Sequence, residues 1–323
     1  MGDERVGDLS ERDLLRRIFT ALAGSSRALV GPGDDAAVIA APGGRVVATT
    51  DTLVHGPDFR LAWSSGRDLG FKAAAVNLAD VAAMGARPTA LLVALAIPED
   101  MTADFVSDLA AGLREACDVL APGCAVEGGD LTVSSTLTIA VTALGVLDGV
   151  EPVLRSGARP GDVLAIAGDV GPAARGLAVL FDRFRDGDGG PVPVDGTVLS
   201  DVDRRAIAAQ LRPHPPIMLG PAAAAGGATA LMDVSDGLVL DATRMADASD
   251  VTIAITGITD PVALAGGEDH ALLATFPTGA LPAGFLPIGH VEERGAAPVT
   301  VSGRPADMRG GWDPYADWDS GRG

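Results

Sequence analysis

The chain has 323 residues, of which 47% are hydrophobic but only 4% aromatic, and its formal net charge is −19. The length favours two domains over one, and the charge argues against DNA, RNA or anionic lipid as a partner, since these need clustered basic residues. If the ligand is nevertheless a phosphate, divalent cations held by carboxylates are the expected counter-charge.

The N-terminal half predicts one helix followed by alternating strands and helices. Apolar residues at helical spacing from Leu14 to Leu22 predict the opening helix. The Gly-rich segment GPGDDAA is followed by two predicted strands, an apolar run and then residues 45–50, the second strand ending at Asp51. We then predict a helix over 67–84, a buried strand at TALLVALAI, a helix over 103–120 and a long strand over 136–147.

The turn-rich segment RSGARPGD predicts the entry to a second domain, which gives domains over residues 1–148 and 149–323. Beyond it the alternation repeats, with strands at 163–167, ALMDVS, VTIAI, ALLATF and FLPIGHV and helices over 173–184, 202–211 and 237–248. The Gly- and Pro-rich segment FRDGDGGPVPVDG is predicted to be a mobile loop. The pattern as a whole is typical of an α/β fold in packed layers.

Neither the cysteines nor the ends of the chain indicate a secreted or membrane protein. Cys117 and Cys124 lack the C-x-x-C spacing of redox and metal sites, and no structural disulfide is expected. The N-terminus lacks the apolar core of a signal peptide, and no apolar run is long enough to cross a bilayer. We therefore expect a cytoplasmic protein.

Common nucleotide-binding motifs are missing. The sequence has no G-x-x-x-x-G-K-[ST], no G-x-G-x-x-G at a strand-to-helix turn, and no H-R-D with D-F-G. Lys72 is the only lysine of the chain. A phosphate would have to be bound by another design.

Aspartates beside Gly or hydroxyl residues are the most conspicuous pattern. They are Asp34 and Asp35 in GDDAAV, Asp51 in TTDT, Asp80 in NLAD, Asp130 in GGD, and Asp233 and Asp236 in DVSDG. Such hard oxygen ligands suit Mg²⁺, which takes one or two carboxylates together with substrate phosphates. Each one alone has a turn or helix-cap role as the alternative, and acidity alone also serves solubility, so the metal hypothesis depends on their number and contexts.

An ordered set of motifs makes the interpretation specific. GDDAAVI, TTDTLV, FKAAAVNLADVAAMGA, GGD, RSGARPGD, DVSDGL and GGEDHALL occur in this order from about Gly31 onward. Together they resemble the thiamine-monophosphate kinase family of the aminoimidazole ribonucleotide synthetase-like superfamily. The resemblance implies a two-domain α/β fold with an N-terminal sheet that pairs across a homodimer. It also implies ATP-dependent, Mg²⁺-dependent phosphorylation of thiamine monophosphate to thiamine diphosphate by direct phosphoryl transfer.

The resemblance also implies residue roles. The metal set is Asp35, Thr49, Thr50, Asp51, Asp80, Asp130, Asp233 and Asp236, with Asp34 less clearly a member, and Asp51, Asp130 and Asp236 are catalytic. ATP would contact Gly129, Asp130, Arg155 and Ser235, where a guanidinium can grip phosphate oxygens in a bidentate way. Substrate would contact Asp58, Glu268 and a C-terminal aromatic, Trp312 or Tyr315, which could stack on the cationic heterocycle.

Two of these roles have a structural alternative. For Arg155 the alternative is a surface turn residue, and for the aromatic tail it is a C-terminus docked on the surface without a ligand.

Several positions depart from the family pattern. Asp58 stands where many members have a substrate-contacting His, with His55 slightly earlier. Leu131 replaces the Thr of GGDT, His270 replaces the Tyr of EDYEL, and GDVGPAARG differs from the usual small-residue loop. None of these is an implied metal ligand, so the departures bear on substrate fit.

Two other hypotheses remain open at this point. Another ATP-dependent enzyme of the superfamily is disfavoured because the chain lacks the N-terminal Cys of selenophosphate synthetases and ends in Gly323 where a hydrogenase-maturation relative ends in Cys. A non-catalytic protein that buffers divalent cations is disfavoured because no Ca²⁺ loop of the EF-hand type is present.

Overall fold

A computed structural model describes residue 5, residue 9, residues 11–27, residue 41 and residues 44–306. Its helices are α1 (Glu11–Ala21), α2 (Gly66–Ala83), α3 (Ala103–Leu120), α4 (Pro172–Arg183), α5 (Asp201–Leu211), α6 (Leu219–Ala225), α7 (Leu238–Ser249) and α8 (Pro261–Ala265). Its strands are β1 (Val47–Val54), β2 (Arg87–Ile97), β3 (Ala125–Val133), β4 (Thr138–Val146), β5 (Val163–Ala167), β6 (Ala230–Val234), β7 (Val251–Ile255), β8 (Ala271–Phe276), β9 (Leu286–Glu293), β10 (Val299–Val301) and β11 (Arg304–Pro305).

These strands form two sheets. The first sheet has the order β1-β4-β2-β3, in which β4 is antiparallel to both neighbours and β2 is parallel to β3. The second has the order β11-β10-β7-β9-β5-β8-β6 and is mostly antiparallel, apart from the parallel pair β7–β10. The predicted α/β architecture is confirmed, whereas the domain boundary at residue 148 stays a prediction.

Helix α2 lies between the two sheets. It packs on β1, β2 and β4 of the first sheet, on β6 and β8 of the second, and on α3, α5 and α6. Its sequence is rich in Ala, Leu and Val on every side, which is the pattern of a helix buried all round. Even its polar residues Lys72 and Asn77 are buried. Residues on α2 can therefore reach groups supplied by both sheets.

Glycines let α3 approach α2 closely. A Cβ on Gly70 would lie 1.9 Å from the carbonyl oxygen of Leu109, and one on Gly112 would lie 2.1 Å from that of Arg67. No side chain fits at such distances, so the two backbones pack directly against each other. This contact fixes α2 laterally against α3, which packs on β3 of the first sheet.

Most predicted elements are present, with some corrections. Strand β1 does not end at Asp51, because its pairing with β4 continues through Leu53 and Val54. Asp130 is likewise inside a strand, β3, which the sequence analysis did not predict. Helices α6 and α8 and strands β10 and β11 were also missed, since each has only two to seven residues and gives little periodicity.

Some predictions fall outside the described residues or remain open. The strand after GPGDDAA, together with Asp34, Asp35, Trp312 and Tyr315, lies outside the described residues. The predicted mobile loop is described, and the carboxylate of Asp186 accepts N–H bonds from Asp188 and Gly190 within it. In the described part of the chain no helix is long and apolar enough to cross a membrane.

Candidate active site

The first part of the site lies where β1 packs against α2. The hydroxyl of Thr49 donates to Oδ2 of Asp80 on α2 at 2.8 Å. The N–H of Asp51 donates to Oδ1 of Asn77 at 3.1 Å. The Asn77 amide in turn donates to the carbonyl of Ala73 one turn earlier, at 2.9 Å. Helix α2 thus fixes both the β1 backbone at Asp51 and the carboxylate of Asp80.

The second part lies at the end of β6 and in the turn that leads into α7. Asp233 is buried on β6, and Nδ1 of the buried His270 lies 3.1 Å from its Oδ2. The turn residue Asp236 accepts a hydrogen bond from the guanidinium of Arg244 at 2.6 Å. Both carboxylates have a cationic or hydrogen-bonding partner from the C-terminal half.

A third carboxylate, Asp241 on α7, holds this turn in place. It is 1% exposed, and it accepts the N–H of Asp236 at 3.0 Å and the guanidinium of Arg244 at 2.7 Å. Burial raises the pKa of Asp241 to about 6; the bond from the Asp236 N–H opposes this shift, and the charges of Asp233 and Asp236 add to it. Asp241 and Arg244 are site residues that the motifs did not identify.

Asp51, Asp80, Asp233 and Asp236 form what we call the acidic cluster. Burial raises the pKa of Asp80 to about 7, and the charges of Asp233 and Asp51 add to that rise against the Thr49 hydroxyl and His270. Burial also raises the pKa of Asp51; His270 opposes this rise and the charges of Asp233 and Asp236 add to it. The four carboxylates therefore repel one another across the boundary between the sheets, which favours the binding of positive charge.

The donor chemistry of the cluster fits Mg²⁺. In the described residues, no group of three or more His, Cys, Asp or Glu side chains is already arranged to hold a metal ion. Mg²⁺ does not need such a cage, because it keeps several waters and binds through one or two carboxylates plus substrate phosphates. Carboxylates with raised pKa values and hard oxygen atoms are a suitable donor set for that mode of binding.

A cavity of about 380 Å³ opens next to the cluster. Its wall includes Ser235, between Asp233 and Asp236, and both predicted substrate residues, Asp58 and Glu268. The remaining wall is partly apolar and aromatic and comprises Pro57, Phe59, Arg60, Trp63, Ser64, Lys72, Ala174, Leu177, Leu180, Phe181, Gln210, Leu211, Ala265 and Gly267. A pocket of this kind suits a ring system with a few polar groups.

Backbone geometry places Glu268 in the cavity wall. Its φ is +73°, in the left-handed region that non-glycine residues rarely adopt, and His270 has φ +54°. The N–H of Glu268 donates to the Ser235 carbonyl at 2.8 Å, and that of His270 to the Val234 carbonyl at 3.1 Å. These bonds hold a strained segment against the end of β6, as is common at ligand sites.

Asp58 lies across the cavity from the second sheet. Its Oδ2 accepts the N–H of Val54 at 2.7 Å. Burial raises the pKa of Asp58, the bond from Val54 lowers it, and the charge of Glu268 raises it. The structure therefore brings Asp58 and Glu268 to one cavity, while their role as substrate residues stays a prediction.

The structure does not bring Gly129 and Asp130 to the acidic cluster. They lie on β3, at the opposite edge of the first sheet from β1, with β4 and β2 in between, so that β3 is ~14 Å from β1. The register also places Asp130 beside Ala94, on the sheet face opposite the one that α2 covers. Within one chain, Asp130 and Asp51 cannot share a ligand atom.

Two more predicted residues lie apart from the cluster. The Thr50 hydroxyl faces away from α2 and donates to the carbonyl of Val141 on β4, at 2.9 Å. The exposed Arg155 has its carbonyl bonded to the hydroxyl of Ser249, at the end of α7 distant from Asp236. The sequence could not reveal either separation, because both depend on strand and helix packing.

Several residues of the site escaped the sequence analysis. Asn77 and Lys72 could have been found, because buried polar residues inside an otherwise apolar helix are unusual. Trp63 and Phe181 could not, since their edge-to-face contact joins residues that are distant in sequence. Asp269, inside the GGED motif, has a structural role: its carboxylate accepts the N–H groups of Gly171 and Ala173 at the start of α4.

Comparison with known proteins gives consistent similarities. Residues 33–147 match the family model described as AIR synthase related protein, N-terminal domain. The chain is 40% identical over 331 residues to the thiamine-monophosphate kinase of Mycobacterium tuberculosis (strain CDC 1551 / Oshkosh), an alignment that covers 97% of this chain and 92% of that protein.

Solved structures agree with this similarity. The crystal structure of thiamine-monophosphate kinase from Stenotrophomonas maltophilia K279a has a TM-score of 0.76 and 31% identity, covering 92% of this chain and 98% of that one. AaThiL complexed with AMPPCP and TMP has a TM-score of 0.72 and 31% identity, covering 95% and 98%. The predicted aminoimidazole ribonucleotide synthetase-like fold is confirmed.

Asp80→Asn should stabilise the metal-free protein at alkaline pH. Because the pKa of Asp80 is raised, the folding free energy that its ionisation costs grows as the pH rises above the unfolded value near 4 and is complete above about 7, whereas below 4 the carboxyl is protonated in both states and the cost is absent. We expect a gain of about 1–2 kcal/mol at pH 8 and a much smaller one at pH 5, measured by urea unfolding in EDTA. An equal gain at both pH values would contradict the electrostatic assignment.

Proposed function

The chain belongs to the thiamine-monophosphate kinase family, and from this premise we propose that it transfers the γ-phosphoryl group of ATP to the phosphate of thiamine monophosphate, releasing thiamine diphosphate and ADP. The observation that supports this most directly is the acidic cluster beside a ring-sized cavity. A relative with the same fold binds AMPPCP and TMP together, as a phosphoryl donor and acceptor must be bound.

The reaction needs no protein nucleophile. An oxygen of the acceptor phosphate forms a bond to the γ-phosphorus, while the bond from that phosphorus to the β–γ bridging oxygen breaks and its electron pair leaves with ADP. Catalysis of such a transfer is mainly positioning and charge neutralisation. The cavity corresponds to the requirement for positioning, and the acidic cluster, with bound cations, to the requirement for charge neutralisation.

The cluster residues Asp51, Asp80, Asp233 and Asp236 would hold Mg²⁺ ions, with Thr49 fixing Asp80 from β1. Asp35 remains a proposed ligand of these ions from the family resemblance, and Thr50, whose hydroxyl faces away from the cluster, remains proposed only as a ligand outside it. Bound Mg²⁺ would neutralise the oxygens of the polyphosphate. The chain itself would orient its ligands through Asn77, His270 and Arg244, which contact Asp51, Asp233 and Asp236 respectively.

The cavity would receive the ring system of the acceptor. Glu268 and Asp58 offer carboxylate oxygens to its amino group or its cationic ring, and Trp63 and Phe181 offer aromatic surface. Ser235 lies between this cavity and the cluster, as proposed for a residue that meets ATP. Trp312 or Tyr315 remains a proposed stacking residue from the family resemblance.

We further infer a homodimer whose two chains share each site. Asp130 and Gly129 are too far from Asp51 in one chain to meet the same nucleotide. A second copy would supply them, together with Arg155, across the exposed face or edge of the first sheet.

A cytoplasmic location also remains a proposal from the sequence.

The proposed activity is tested by incubating the protein with ATP, Mg²⁺ and thiamine monophosphate and separating the thiamine products by chromatography. We expect thiamine diphosphate and ADP in equal amounts, no product from thiamine, and loss of turnover by more than about 100-fold in Asp51→Asn. ADP release with aminoimidazole-pathway acceptors instead would indicate another enzyme of the superfamily. Mg²⁺ binding without turnover would indicate a cation-binding protein.

The shared site is tested with heterodimers purified through two different tags. A dimer of an Asp51→Asn chain with an Asp130→Asn chain contains one intact shared site, and we expect about half of the native activity. A dimer of an Asp51→Asn/Asp130→Asn chain with a native chain has a defect in both sites and should be inactive. If the first dimer is inactive and the second keeps about half of the native activity, both aspartates of each site belong to one chain.

A further inference from the structure

Lys72, the only lysine of the chain, is not among the residues proposed to hold Mg²⁺, ATP or the acceptor. It lies on α2, is 5% exposed, and lines the cavity next to the acidic cluster. Burial of an ammonium group costs free energy unless the charge is paired and hydrogen-bonded. The partners of Lys72 therefore indicate its purpose.

All three N–H donors of the Lys72 ammonium have acceptors in the protein. It forms an ion pair with Oε2 of Glu268. It donates to the main-chain carbonyl of Gln210 on α5 at 3.3 Å. With the Gln210 amide oriented so that its nitrogen donates to the Ala173 carbonyl at 3.1 Å, its oxygen accepts from Lys72 at 3.2 Å. No donor is left over to grip a phosphate.

The carboxylate of Glu268 remains accessible in this pair. Its side chain is 42% exposed, compared with 6% for Lys72, and it lines the cavity. Burial raises the pKa of Glu268, but the charge of Lys72 outweighs this effect and lowers the pKa below its usual value. Glu268 is thus an ionised acceptor whose negative charge is already paired with the buried ammonium of Lys72.

A carboxylate balanced in this way differs chemically from a free one. A free carboxylate attracts any cation, whereas one already paired with an ammonium has little net charge and interacts chiefly through directional hydrogen bonds. Thiamine monophosphate offers both a ring cation and an amino group on its pyrimidine. The pairing favours the amino group as the partner of Glu268.

We propose that Lys72 is a positioning residue that fixes Glu268 as a hydrogen-bond acceptor for the amino group of the acceptor substrate, so that the enzyme selects the aminopyrimidine. This inference rests on the proposed function. Lys72 acts through Glu268, and its removal weakens binding of the acceptor without affecting ATP or the transfer step.

The test compares Lys72→Met, Lys72→Arg, Glu268→Gln and the double variant Lys72→Met/Glu268→Gln by steady-state kinetics. We expect Lys72→Met and Glu268→Gln each to raise KM for thiamine monophosphate by about tenfold, with kcat and the KM for ATP within about threefold of native. The KM of the double variant for thiamine monophosphate should be no higher than that of the more severely affected single variant, because the two residues act as one unit. Lys72→Arg, which keeps the charge, should recover most of the loss. Arg67→Met, which removes an exposed cation from the same helix, is the control and should behave as native.

A second measurement compares thiamine monophosphate with oxythiamine monophosphate, in which an oxo group replaces the amino group. The native enzyme should prefer the amino substrate by about tenfold or more in kcat/KM, and Lys72→Met should lose most of that preference. The preference of the native enzyme can be measured even where a variant fails to fold. Equal use of both substrates by the native enzyme would overturn the proposal.

Two other outcomes would also overturn it. A large fall in kcat or a raised KM for ATP in Lys72→Met would make Lys72 a phosphate-binding cation. Multiplicative effects in the double variant would mean that Lys72 and Glu268 act independently. Absence of thiamine diphosphate formation by the native protein would instead refute the proposed function, and that result is read from the native enzyme alone.

Discussion

The burial of α2 between the two sheets is the constraint on which the rest of the structure depends. Its apolar surface holds the sheets together, and its few polar residues are consequently forced to find partners inside the protein. Asn77 bonds to the β1 backbone, Asp80 to Thr49, and Lys72 to Glu268 of the C-terminal half. One helix therefore positions both the acidic cluster and the cavity, and the approach of α3 through Gly70 and Gly112 keeps it in place.

This arrangement concentrates like charges at a cost to stability. Asp51 and Asp80 have raised pKa values because the fold partly desolvates them and places other carboxylates nearby. A fold selected only for stability would not assemble such a group, and a ligand that brings positive charge repays the cost. The cavity has the opposite character, since Lys72 neutralises the charge of Glu268 and leaves directional hydrogen bonds as the main basis for recognising a ligand.

The sequence predicted those parts of the site that depend on local motifs. The cluster members Asp51, Asp80, Asp233 and Asp236 each lie in a short motif next to an element that periodicity also predicts. The separation of Asp130 from Asp51 was not predictable, because it follows from the strand order β1-β4-β2-β3 and not from any local pattern. The cavity wall could not be predicted either, since residues such as Trp63 and Phe181 meet only through the packing of elements that are distant in sequence.

The central claim is that reacting phosphates lie at the acidic cluster while the acceptor ring occupies the adjoining cavity. The most direct test is a crystal structure with a non-hydrolysable ATP analogue, thiamine monophosphate and Mn²⁺, located by anomalous scattering. We predict Mn²⁺ bound by carboxylates among Asp51, Asp80, Asp233 and Asp236, with the pyrimidine amino group within hydrogen-bond distance of Glu268. Mn²⁺ bound away from all four carboxylates, or a pyrimidine outside this cavity, would contradict it.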